Sequence, residues 1–164
     1  MRIEYFQLIT RIDKLDREAG TLEALAQVPT ASTIFEGHFP GYPIMPGVLL
    51  IESMAQACGH LVLAILNYAQ MPFLIGVREA KMRSFVSPGA ALTVSARLEH
   101  MGSGFAVAHG QVSQDGKKVT EAEIRFRLMP FPTDAMKQVM LDLVESLGLP
   151  RPAPGDQTKE GNTT

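Results

Sequence analysis

Hydrophobic and polar positions change period several times along the chain, and each change predicts an element. Leu8 to Leu15, rich in Leu, Ile and Thr, predicts a first strand ended by a turn at Glu18-Ala19-Gly20. Thr21 to Val28 alternates, with Leu22, Ala24, Ala26 and Val28 on one face and Thr21, Glu23 and Gln27 on the other, which predicts a second strand. Pro29 to Pro46 is a long connection dense in Gly and Pro, of the kind a compact domain keeps for function. Pro46-Gly47 then opens a long apolar helix, expected to run to about Tyr68 or Ala69 and to stop before Pro72. Proline suits a first helical position because it has no N–H to leave unsatisfied. A helix apolar nearly all round needs enclosure by other structure.

Four more strands follow. Phe73 to Val86 ends at the Pro88-Gly89 turn, and Leu92, Val94, Ala96 and Leu98 alternate with Thr93, Ser95, Arg97 and Glu99. Gly102-Ser103-Gly104 turns into Phe105 to Gln114, Asp115-Gly116 signals a hairpin, and Lys117 to Met129 returns with Ala122, Ile124, Phe126 and Leu128 on one face. Past Pro130 and Pro132, Thr133 or Asp134 can cap a last helix whose Met136, Val139, Met140, Leu143, Val144 and Leu147 form an amphipathic stripe, with Gly148 as the stop. The order β-β-α-β-β-β-β-α implies an α+β domain, an antiparallel sheet wrapped around one central helix, over residues 1–149. Residues 150–164 lack apolar periodicity and read as a disordered tail.

Composition narrows the function classes. At 164 residues and 46% hydrophobic, the chain suits one domain with a real core. A formal net charge of −2 argues against nucleic acid as a partner. The lone Cys58 excludes an intrachain disulfide framework and fits a reducing, cytoplasmic setting, and the N-terminus shows no secretory signal. Val48 to Ala69 is long enough to suggest a membrane span. However, Glu52, Gln56 and His60, spaced i, i+4 and i+8, put three polar groups on one helical face, which favours a buried helix with a functional stripe.

The chemistry concentrates in Gly37 to Gly59. There a histidine sits in a rigid Gly/Pro loop, a helix starts at Gly47, and a carboxylate follows one and a half turns later. Free N–H groups at a helix start suit a developing oxyanion, and glycine at 47 lets a ligand approach that backbone. Glu52 lies among Leu50, Ile51, Met54 and Ala55, where burial favours the protonated form, and Gln56 one turn on can hold its carboxyl in place. These parts fit removal of water from a β-hydroxyacyl thioester. His38 would take the α-proton, the Gly47 N–H would stabilise the enolate oxygen, and Glu52 would help the hydroxyl leave. No metal-ligand cluster or phosphate loop is visible, and this mechanism requires no cofactor.

His38 through Gln56 matches, without a gap, the motif H-F-P-G-x-P-x-x-P-G-x-L-x-x-E-x-x-A-Q. It therefore resembles the FabZ-type (3R)-hydroxyacyl-acyl carrier protein dehydratases of fatty-acid synthesis, which have the hot-dog fold. A looser likeness runs through Phe73 to Gly89, so the resemblance covers roughly residues 8 to 129. It implies that His38 and Glu52 are catalytic, that the Gly47 N–H donates to the thioester oxygen and that the Ile44 carbonyl orients the imidazole. It also implies an acyl carrier protein as partner, and a homodimer that can assemble to a hexamer, with His38 and Glu52 of each site coming from different subunits. Glu52, where the related dehydratase-isomerase branch usually has Asp, favours the plain dehydratase. Against the family pattern, the chain lacks the L-P-H-R-x-P-x-L-x-x-D segment, reads Ser84-Phe85-Val86-Ser87-Pro88-Gly89-Ala90 for R-P-V-x-P-G-D, and adds the helix at 134–147. These departures resemble a specialised branch, such as the rhizobial enzymes of very-long-chain lipid A acyl synthesis.

Other polar residues have plainer readings. His60 extends the polar stripe and is expected to be structural or at a subunit contact, while His100 and His109 lie on strands as structural or solvated groups. Cys58 reads as a small packed hydrophobe without an activating partner. Some of the nine methionines could line an acyl tunnel. Arg78, Lys81, Arg83, Lys117, Lys118, Arg125 and Arg127 are either a basic rim for an acidic carrier or solvated strand faces. Two competing functions remain: a hot-dog acyl-thioesterase, and a non-catalytic acyl-binding subunit.

Overall fold

The computed structural model describes residues 1–151. Six strands form one antiparallel sheet: β1 (Arg11–Asp16), β2 (Thr21–Gln27), β3 (Met71–Met82), β4 (Ala91–Gly102), β5 (Phe105–Gln114) and β6 (Lys117–Met129). Their spatial order is β1-β2-β4-β5-β6-β3, which leaves β1 and β3 at the edges. The sheet wraps around a helix of residues Gly47–Ile65, preceded by a short helix Thr33–Gly37 (α1), so the long helix is α2. The last helix, α3, spans Asp134–Ser146. This is the hot-dog arrangement.

Alternation along the strands makes the seat for α2. Leu22, Ala24 and Ala26 of β2, Leu92, Val94 and Ala96 of β4, and Ala122, Ile124, Phe126 and Leu128 of β6 all point inward and are buried. Ala96, Gly110 and Ala122 lie side by side across β4, β5 and β6. That row of small residues lets the helix come close: a Cβ on Gly110 would stand 2.7 Å from the Cβ of Met54. Bulges in β3 at Leu74/Gly76 and Arg78/Lys81, and in β4 at Leu98/His100, bend the strands around the helix. The β5–β6 hairpin turns through Asp115 and Gly116, both at positive φ (50° and 74°), as a two-residue turn of the primed type requires.

α2 is long and apolar enough to cross a membrane by length and composition. Here it is the core helix, with Leu50, Met54, Ala57, Cys58, Leu61 and Val62 buried beneath the sheet. In α3, the Thr133 hydroxyl accepts from the Met136 N–H at 3.1 Å, and Gly148 at φ 92° ends the turn beyond it.

Four boundaries differ from the sequence reading. The 29–46 connection is not all loop, because α1 forms there, capped by Ser32 and anchored by buried Phe35. The first strand begins at Arg11 rather than Leu8; Leu8 and Ile9 are buried outside the ladder, and the Leu8 N–H is used by a side chain of α2. α2 stops at Ile65, several residues before Tyr68, where Asn67 and Tyr68 turn at positive φ. β3 stops at Met82 instead of Val86, whose carbonyl bonds the Met45 N–H at 2.7 Å in the loop before α2. At the expected tail, Arg151 pairs with Glu145 at 2.8 Å and with Asp142 of α3; residues 152–164 lie outside the described residues.

Candidate active site

His38 follows α1 directly and is held on three counts. Its N–H donates to the Ile34 carbonyl at 3.0 Å, its carbonyl accepts from the Ile44 N–H at 2.9 Å, and its Nδ1 lies 3.0 Å from the Ile44 carbonyl oxygen. A carbonyl can only accept, so Nδ1 carries the proton and Nε2 is left with its lone pair. Phe39 and Tyr42 exchange backbone bonds at 3.1 and 2.9 Å, and the Phe39 ring stacks on the imidazole at 4.1 Å between centroids. The loop is a set of backbone clamps around one ring.

No side chain caps the start of α2, so its first N–H groups stay available. A Cβ on Gly47 would meet the methyl of Met82 at 3.4 Å, ordinary contact with a flexible end. Met82, half exposed, is itself held by the Thr120 hydroxyl, which donates to its sulfur at 3.2 Å.

Glu52, Gln56 and His60 share one face of α2 and line one cleft. Gln56 is the hub: its Nε2 donates to Glu52 Oε1 at 3.1 Å and to the Phe6 carbonyl at 2.8 Å, and its Oε1 accepts from the Leu8 N–H at 2.9 Å. The N-terminal segment thereby fixes the amide, and the amide fixes the carboxylate. Local pattern carries no sign of this, because Gln56 is 48 residues from Leu8. Glu52 is only half-buried in the single chain, less enclosed than its apolar neighbours suggested. The cleft takes in Glu52 and Gln56, while His38, Ile44 and Gly47 are not among the residues that line it.

His60 is buried at 5% exposure, its Nδ1 has no hydrogen-bond partner among the described residues, and burial pushes the imidazole down to about 4. Burial pushes the Cys58 thiol up to about 12, so Cys58 packs as a neutral group. His100 is exposed on β4, and His109 on β5 stands 3.8 Å from a Glu121 oxygen. Three of the seven basic residues are engaged in ion pairs: Lys118 at 2.5 Å and Arg83 hold the Glu121 carboxyl down at about 2, and Arg125 pairs with Glu123 at 2.6 Å. Arg127 lies over the Phe105 ring at 4.9 Å, while Arg78, Lys81 and Lys117 are exposed.

Comparison with known proteins places these features in a family. A FabA-like domain matches residues 2–123, beginning six residues before the likeness read from the motif and ending short of α3. The 3-hydroxyacyl-(acyl-carrier-protein) dehydratase FabZ of Fusobacterium nucleatum is 36% identical over 122 residues, 74% of this chain and 85% of that protein. Among solved structures, the dehydratase heterocomplex ApeI:P from Xenorhabdus doucetiae superposes with a TM-score of 0.63 at 17% identity, over 82% of this chain and 90% of that one. A thioesterase from Staphylococcus aureus superposes with a TM-score of 0.62, also at 17% identity, over 78% and 98%. The shared fold thus spans both activities, whereas the sequence relative is a dehydratase. The chain belongs to the FabA-like domain family, as a relative of the FabZ-type 3-hydroxyacyl-(acyl-carrier-protein) dehydratases.

Proposed function

We propose that the protein dehydrates (3R)-hydroxyacyl thioesters carried on acyl carrier protein to trans-2-enoyl thioesters, in fatty-acid or lipid A acyl chain synthesis in the cytoplasm. The observation that carries the reading is the clamp of His38 Nδ1 on the Ile44 carbonyl, which leaves Nε2 as a base. Nε2 takes the proton from C2, and the electron pair moves onto the thioester oxygen, where the Gly47 N–H receives the charge. The pair then returns to form the C2–C3 double bond as the C3–O bond breaks. The departing hydroxyl takes a proton from Glu52 and leaves as water. His38 ends protonated and Glu52 ionised, and proton exchange restores both.

A homodimer completes the site, with His38 and Gly47 of one subunit meeting Glu52 of the other. Two observations support this. The cleft beside Glu52 lacks the other two groups, and the free edge strand β3 exposes Leu74, Ile75 and Val77. Further assembly to a hexamer would build on this dimer. The carrier would dock beside the exposed Arg78, Lys81 and Lys117, a smaller basic surface than the sequence suggested.

Complementation tests the shared site. His38→Ala and Glu52→Gln subunits, inactive alone, form a heterodimer with one doubly altered and one intact site. Random mixing should restore about a quarter of wild-type activity, since about half the dimers are mixed. No recovery despite proven subunit exchange would overturn the shared site. The same assay separates the competing functions: enoyl absorbance marks a dehydratase, thiol release a thioesterase, and neither a binding subunit.

A further inference from the structure

From Glu52 the cleft follows α2 past Gln56, Gly59 and His60 to Leu63. Those eleven residue steps rise about 16 Å. Across from them stand Met140, Leu143 and Leu147, at and just beyond the C-terminal half of α3. These residues lie beyond the 2–123 family match.

α3 touches the end of the cleft remote from Glu52 through its C-terminal turn. Val144, fully buried, packs with Leu63 and Tyr68 at the end of α2. The Leu147 carbonyl accepts from the Ile12 N–H in β1 at 2.8 Å. Gly59 keeps the middle open, because a Cβ there would meet nothing within 4 Å. The lining runs from polar at Glu52 and Gln56 to mainly apolar beyond, as a molecule with a reactive head and an alkyl tail requires.

Resting on the dehydratase reading of Glu52, we infer that α3 is the chain-length stop of this enzyme, closing the acyl cleft so that it accepts 3-hydroxyacyl tails of medium length. The rise of about 16 Å from Glu52 to Leu63 gives room beside α2 for an extended tail on the order of a dozen carbons, and the cleft lined by that run holds about 270 Å³.

Binding of saturated acyl-pantetheine thioesters of increasing length, measured by calorimetry on the full chain, tests the stop without needing turnover. Affinity should tighten roughly three- to fourfold per methylene up to about a dozen carbons, then level off or fall. Met140→Ala with Leu143→Ala should move that break to longer tails. Gly59→Leu, at a position where a Cβ meets nothing within 4 Å, should move it to shorter ones, changing the ratio of affinities for long and short tails at least ~10-fold. A break at the same length in the wild type and both variants, or no break, overturns the inference. Parallel turnover of 3-hydroxyacyl thioesters keeps the two readings apart: a length break without enoyl product sinks the dehydratase reading and leaves α3 as the wall of an acyl cleft.

Discussion

The loop at His38 and the cleft beyond Glu52 are built on opposite principles. Around His38, position is set by directional bonds: two backbone hydrogen bonds and one ring contact to the Ile44 carbonyl define a single imidazole. Beyond Gln56, position is set by volume, with Leu63, Met140 and Leu143 bounding a space by packing. Proton abstraction tolerates little angular error, so it needs hydrogen bonds. An alkyl tail presents no direction to recognise and is selected by the room it finds. The loop and the cleft should therefore fail differently.

The largest effect belongs to the loop. His38→Ala should cost at least ~100-fold in kcat, with little change in melting temperature, because the imidazole is half-buried and the loop's backbone bonds remain. Steady-state kinetics beside a thermal melt would check this. Near-normal kcat in a folded variant would remove the distinction between a catalytic loop and a packed cleft.

The next prediction concerns stability in the cleft. An unfolded histidine titrates near ~6.5, whereas His60 in the fold is pushed down to about 4. Between those values the unfolded chain takes up a proton that the folded chain refuses. The neutral-His contribution is thus fully present above ~6.5 and is lost as pH falls toward ~4, by about 3 kcal/mol in all. Denaturant unfolding across that range, compared between wild type and His60→Leu, should show the variant losing less stability on acidification. Parallel curves would mean that the imidazole is not enclosed.

The smallest expected change lies beneath both regions. Gly110→Ala would drive a Cβ into Met54 and should destabilise by about 1–3 kcal/mol. Because Met54 sits between Glu52 and Gln56 in sequence on the opposite, buried side of α2, the variant should lower activity only through stability. A loss of kcat well below the melting transition would show that the helix seat also tunes the site.

Much of this was legible beforehand. Strand alternation from Thr21 to Gln27 and from Lys117 to Met129 reads directly as buried and exposed faces, because a pleated strand has a period of two. The 38–56 motif marks a loop and helix start whose geometry is largely local. α1 was not legible, since five residues carry too little periodicity and the helix depends on the Ser32 cap and on burial of Phe35. The end of β3 was missed because Ser84 to Val86 continues the apolar pattern after the ladder has stopped at Met82.

By itself the sequence determined what local chemistry can determine: the alternating strands, the apolar helix, the capped α3 and the residue types in the reactive loop. Only the tertiary structure decided what each of these meets. Gln56 became a hub because residues 6 and 8 pass beside it. The amphipathic stripe of α3 found its partner in Leu63 and Tyr68, against which Val144 is buried. Periodicity says which face of a helix is buried; the chain must fold before that face acquires a partner, because hydrophobic attraction carries no direction.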